Sequence, residues 1–233
     1  MSEPPEGRRV WDLPVRIVHW LLVVGVAGSY ATNRAGVAYF KYHRWFGYLV
    51  LVLAAFRILW GLVGTRHARF ANFVRGPRAT LGYLLALGRG AAPATPGHNP
   101  LGAWMVVFLL SALLAQAMTG LFANDEIFNT GPLAGAVSYD TSLRLTSWHR
   151  RLFDWILAAI GAHLLAVAAH RVFGGHDLIR PMIVGRKPAS VVSERDAIAT
   201  SRLWIAVLLI ALVVGALMWA IRAAPVSPVD DYG

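Results

Sequence analysis

The sequence predicts an all-α integral membrane protein: a four-helix transmembrane bundle followed by a fifth, C-terminal transmembrane helix. Three observations carry that prediction. Hydrophobic residues make up 57% of the 233 positions and charged residues only 15%, a balance suited to membrane rather than to water. Five apolar stretches are each long enough to cross a hydrocarbon core about 30 Å thick. The basic residues gather between those stretches, so the net charge of +10 reads as a topology signal. No nucleic-acid partner is expected from it.

The elements follow in order. Residues 1–14 are a polar, proline-containing N-terminal segment on the cytoplasmic side. The first span, 15–32, has the positive flank and small-residue end of a secretory signal, but His19 and Trp20 inside it argue against cleavage. A short loop with Arg34 and Lys41 leads to the second span, 43–64. The connection 65–100 is polar and arginine-rich, with an amphipathic piece at 77–89 expected to lie in the interface. The third span, 101–122, contains no histidine. An acidic loop then leads to the fourth span, 147–170, reading SWHRRLFDWILAAIGAHLLAVAAH.

Residues 15–187 are expected to form the four-helix core. Residues 188–233 supply a basic linker, the fifth helix (203–221) and a short acidic periplasmic tail. With the N-terminus inside, inner segments hold fourteen Lys and Arg against seven outside. The positive-inside rule therefore predicts a multi-pass orientation with the N-terminus inside and the C-terminus outside, cytoplasmic and periplasmic if the membrane is the bacterial inner membrane expected for this chain.

The absence of cysteine removes disulfides, iron–sulfur clusters and covalently attached haem together. A redox centre must then be held by other side chains, and the eight histidines are the first place to look. His149 and His163 lie fourteen residues apart on one span, within about 40° of whole turns, so they share a face roughly 21 Å apart along the axis. His43 and His149 each open a span that runs from outside to inside, which puts them at one outer depth. His19 and His163 both lie a turn or two from the inner ends of theirs. Depth thus pairs His43 with His149 and His19 with His163. Each pair suits a six-coordinate b-type haem between helices. An apolar pair of imidazoles is too few ligands for zinc.

Several other residues fit that picture. Arg57, fourteen residues after His43, faces the same side at the inner depth, where a haem propionate is a natural counter-charge and snorkelling the alternative. Arg44, Arg150 and Arg151 could do the same at the outer pair or form a solvated edge. Gly25, Gly28, Gly47 and Gly161 would admit a flat macrocycle or close helix packing. His170, seven residues past His163, is the rival for the inner ligand. His67, His98 and His176 fall in polar loops where solvent exposure is expected, with His98 a candidate proton carrier near a quinone. Gln116 and Thr119 are candidates to line a quinone site.

The same residues carry a resemblance. VWDLPVRIVHW, HRWFGY, FRILWGLVGTRHARFANFVRGP, GHNPLGAWMV and the WHR…GAH pair resemble the bacterial cytochrome b561 family, whose relatives include the cytochrome b subunits of nickel–iron hydrogenases. The resemblance covers roughly residues 8–187. It implies a four-helix core holding two non-covalent, bis-histidine b haems that pass electrons between membrane quinone and another redox centre. The family's haem ligands on the first, second and fourth helices map onto His19, His43, His149 and His163. Some members act alone with quinone; others anchor a soluble subunit such as a c-type cytochrome or hydrogenase. The fifth span and tail lie beyond that core and are expected to dock a partner or a second copy in a homodimer. Two other readings stand beside this one: a stand-alone quinone-linked oxidoreductase of a small molecule such as superoxide, and a non-redox anchor or transporter.

Overall fold

The computed structural model describes residues 7–174 and 177–225. His176, the first six residues and most of the acidic tail lie outside them. The described residues form eight α-helices: α1 (Leu13–Arg34), α2 (Phe40–Val63), α3 (Phe70–Phe73), α4 (Pro77–Gly88), α5 (Pro100–Leu121), α6 (Tyr139–Val172), α7 (Ile179–Val184) and α8 (Leu203–Ala223). Five of them, α1, α2, α5, α6 and α8, have the length and composition to cross a membrane, and all five were predicted.

Their starts follow from local chemistry. Asp12 caps α1, its Oδ1 accepting the Val15 N–H at 2.7 Å. Asn99 caps α5, its Oδ1 accepting the Gly102 N–H at 2.7 Å, with Pro100 at the first helical position. The amphipathic piece is α4, also opened by proline.

The fourth span differs from expectation. At 34 residues α6 begins at Tyr139 rather than 147 and is about 51 Å long, more than a hydrocarbon core requires. Its first two turns are too polar to read as membrane span, yet their side chains bind the preceding loop. Ser142 Oγ donates to the Phe122 carbonyl at 2.6 Å, and Thr146 Oγ1 accepts the Asn124 N–H at 2.8 Å. His149 therefore sits ten residues inside its helix instead of opening it.

A two-residue antiparallel ladder was not foreseen. β1 (Arg8–Arg9) pairs with β2 (Arg186–Lys187) in the register Arg8↔Lys187 and Arg9↔Arg186. Gly185, at φ +83°, ends α7 just before β2, and its carbonyl accepts the Val10 and Trp11 N–H groups at 2.9 and 3.2 Å.

The chain forms two compact units. One holds residues up to Val18, Arg57–Phe108 and Ile160–Val207; the other holds His19–Phe56, Leu109–Ala159 and the chain from Leu208. The first is keyed on Asp12, which is 1% exposed. Its carboxylate accepts from the indole of Trp60 at 3.1 Å and from the hydroxyl of Thr65. The second unit packs Leu51, Leu121 and Leu133 with Tyr48, Leu114 and Phe122. There a Cβ on Gly28 would meet the Phe46 ring at 2.5 Å and one on Gly25 would meet Val50 at 2.9 Å. These two glycines bring α1 against α2; helix packing accounts for them.

Candidate functional site

Of the residues singled out by sequence, the structure brings His43 and His149 together. Both lie in the second unit, on α2 and α6, with ring centroids 6.2 Å apart and planes at 85°. Each Nδ1 is held by a main-chain carbonyl: His43 donates to Ser29 O at 2.9 Å and His149 to Gln116 O at 2.8 Å. A carbonyl can only accept, so both protons sit on Nδ1 and both Nε2 atoms keep a lone pair. The backbone partner of each ring thus fixes tautomer and orientation, as the outer shell of a metal-ligating histidine does.

The neighbours hold the same geometry. Ser29 Oγ lies 3.1 Å from His43 Nδ1 and Thr119 Oγ1 lies 3.3 Å from His149 Nδ1. The Gln116 side-chain amide donates to His149 Nε2 at 3.2 Å, marking where that lone pair points. Gln116 and Thr119, considered for a quinone site, are both engaged with His149. Ser29 and Gly120 were missed. A Cβ on Gly120 would stand 2.9 Å from the His149 ring, so glycine there is what lets the imidazole lie against α5. A serine inside an apolar span was the available sign of Ser29; Gly120 left none.

Do these residues suit a haem? Two imidazoles ligating one metal at about 2 Å each place their centroids roughly 6 Å apart, and the observed separation is 6.2 Å. Gly47, one turn on from His43 on the same face, has nothing within 4 Å of where a Cβ would sit, and neither does Gly161. Among the described residues no cluster of three or more His, Asp or Glu could hold a metal alone. Paired imidazoles with open space at Gly47 fit a haem, which would need only these two side chains as protein ligands. Arg44 and Arg150 each adjoin one of the histidines and are solvent-exposed, without an ion pair among the described residues.

The remaining residues are placed as follows. His19 is on α1 in the second unit, edge-on to Trp20 with centroids 5.0 Å apart. His163 is on α6 in the first unit and half-buried. Its rival, His170, accepts from the Asn99 side-chain amide at 3.3 Å. Arg57 is 5% exposed; it donates to the Ala68 carbonyl at 3.2 Å and lies over the Phe70 ring at 5.7 Å.

Two loop histidines expected in solvent are not there. His67 is buried and donates from Nε2 to the Asp196 carbonyl at 2.7 Å. His98 is packed against Trp11 and Phe73, with centroids 4.7 and 4.5 Å away, and its Nδ1 is buried without a hydrogen-bond partner. The long connection brings these rings against Trp11, Phe73 and the Asp196 carbonyl, which residue-by-residue polarity does not reveal. Burial first, and then the charge of Arg57 and Lys187, push the His98 pKa down to about 3. Burial likewise lowers Lys187 to about 8.

Membrane-length helices carrying an oriented imidazole pair define a multi-pass helical membrane protein of the haem-carrying class. The profile of the prokaryotic cytochrome b561 family matches residues 10–185, and the chain belongs to that family, a b-type cytochrome of electron transfer. Among curated proteins it is similar to the probable Ni/Fe-hydrogenase B-type cytochrome subunit of Azotobacter vinelandii, 26% identical over 181 residues, which cover 65% of this chain and 68% of that one. The subunits of the same description from Azotobacter chroococcum mcd 1 and Cupriavidus necator are each 25% identical, over 65% of this chain and 68% and 66% of theirs. No solved structure matches the chain.

Proposed function

We propose that this protein is a di-haem cytochrome carrying electrons within the inner membrane between quinone and a periplasmic redox subunit, hydrogenase-like or a c-type cytochrome. The observation that carries the reading is the His43–His149 pair: two imidazoles held at Nδ1 by main-chain carbonyls, with centroids 6.2 Å apart, a separation at which both would be able to hold one haem. The relatives named as hydrogenase cytochrome subunits favour a partner subunit over a stand-alone enzyme. A haem held by these residues would supply a one-electron redox centre.

The chain's own residues do the rest. His43 and His149 ligate the outer haem and are kept in one tautomer by Ser29 O and Gln116 O. His19 and His163 are each proposed as a ligand of a second, inner haem on the sequence-depth argument alone. Arg44, Arg150 and Arg57 are the proposed partners of propionates; Arg57 uses one guanidinium nitrogen on Ala68 O and has further donors for a carboxylate. Residues 15–187 form the proposed core, and the excess of inner arginine supports a cytoplasmic N-terminus and periplasmic C-terminus.

The test is a reduced-minus-oxidised spectrum with pyridine-haemochrome quantitation on wild type, His149→Ala and His163→Ala. Two b haems per chain, falling to one in each variant, is the expected result. A single haem in wild type would remove the inner site, and a protein purified without haem would remove the function.

A further inference from the structure

We propose that a basic cleft in the first unit binds a phosphate ester, held by Arg9, Arg16, Arg186 and Ser201. The cleft measures about 280 Å³, and its lining is completed by Trp11, Leu13 and Val184, with no Asp or Glu. Three guanidinium groups are thus gathered on β1, α1 and β2 without a carboxylate between them. None of the three is ion-paired among the described residues, whose salt bridges involve Arg8, Arg66 and Arg171. Among the described residues, the acids nearest in the chain are engaged elsewhere: Asp12 with Trp60, Thr65 and the Val15 N–H, Glu194 with Arg8 at 3.1 Å and Asp196 with Arg66 at 2.8 Å. Like charges held together cost free energy unless an anion is shared among them.

The donors are arranged for such an anion. Arg16 donates one terminal nitrogen to the Ile183 carbonyl, while its Nε is buried with no hydrogen-bond partner. Arg186 donates to Gly7 O at 3.2 Å and Arg9 reaches Ala199 O at 3.5 Å, so each keeps most of its five N–H groups. Ser201 Oγ accepts the Leu13 N–H at 3.2 Å, which leaves its own proton to donate. Planar guanidinium forks with a hydroxyl match phosphate oxygens, which accept from several directions at once. Gly185 makes the arrangement possible: a Cβ there would lie 2.9 Å from Trp11 O and 3.2 Å from Arg16 Nε.

The position names the source. Leu13 and Leu203 begin two membrane-length helices, α1 and α8, so the cleft lies at headgroup level, where basic pockets take up anionic lipid. An anionic phospholipid headgroup is therefore the expected carrier of the phosphate, ahead of a soluble phosphate ester. This inference is independent of haem stoichiometry.

The test is native mass spectrometry of the delipidated holoprotein in neutral detergent, titrated separately with cardiolipin, phosphatidylcholine and glycerol phosphate. Cardiolipin should bind about tenfold more tightly than phosphatidylcholine, and Arg16→Gln should remove that preference. Because Arg16 also holds the Ile183 carbonyl, the double variant Arg9→Gln/Arg186→Gln, at two exposed side chains, repeats the test without touching a structural bond to α7. It should likewise erase the preference, while Arg78→Gln on α4 should leave it intact. Binding of glycerol phosphate without cardiolipin would keep the site and assign it to a soluble ester. Equal binding of both lipids with no phosphate binding, or a cardiolipin preference that survives the double variant, would overturn the proposal.

Discussion

The two units treat buried polar residues in opposite ways. In the second, His43 and His149 spend their Nδ1 protons on carbonyls, which turns both Nε2 atoms into acceptors, and Gly47 stands open one turn from His43. In the first, several buried polar groups close on a protein partner. Asp12 accepts from Trp60, Thr65 and Val15, His67 meets Asp196 O, His170 meets Asn99, and Arg57 meets Ala68 O.

That contrast can be broken at its strongest point by filling the space beside the pair. Gly47→Phe is expected to cost about one haem per chain by pyridine haemochrome, with far-ultraviolet dichroism unchanged. Retention of both haems would mean that the open face next to His43 has another use. The first unit predicts the reverse pattern. Asp12→Ala should lower stability by about 3 kcal/mol, combining a lost helix cap with buried donors left unpaired, while haem content per folded chain stays constant. Thermal unfolding in detergent measures the first and absorbance the second.

A smaller effect should appear with pH. Unfolded chain protonates His98 near its ordinary 6.5, whereas the folded state does so only near 3. The unfolded state therefore binds more protons between those values, and stability is complete above about 6.5 and falls as pH drops. At pH 5 the loss is about 2 kcal/mol. The groups set around His98 are Arg57, Lys187, His67 and His163, and His98→Phe should flatten the profile between pH 7 and 5. An unchanged slope in that variant would place the titration elsewhere. Smallest of all, Gly28→Ala should cost about 1–3 kcal/mol by overpacking against Phe46 and leave the spectrum alone.

The five membrane helices were legible in the sequence because span length and apolarity are one-dimensional properties. The nearness of His43 and His149 was expected from each opening a span; α6 instead begins ten residues before His149, so tertiary packing is what brings the two rings together. The polar first turns of α6 were not legible, because their helicity rests on bonds from Ser142 and Thr146 to a loop twenty-odd residues away. The burial of His67 and His98 was hidden for the same reason: composition marks residues 65–100 as polar, and only contact with Trp11, Phe73 and Asp196 removes those rings from water.

By itself, then, the sequence determined the membrane class and the number and order of spans, since each depends on spacing along one chain. Tertiary structure decided which imidazole nitrogens carry the proton, which glycines pack helices and which stand open, and that Arg9, Arg16 and Arg186 share a cleft. Those outcomes depend on direction and on partners from distant segments, which no local pattern encodes.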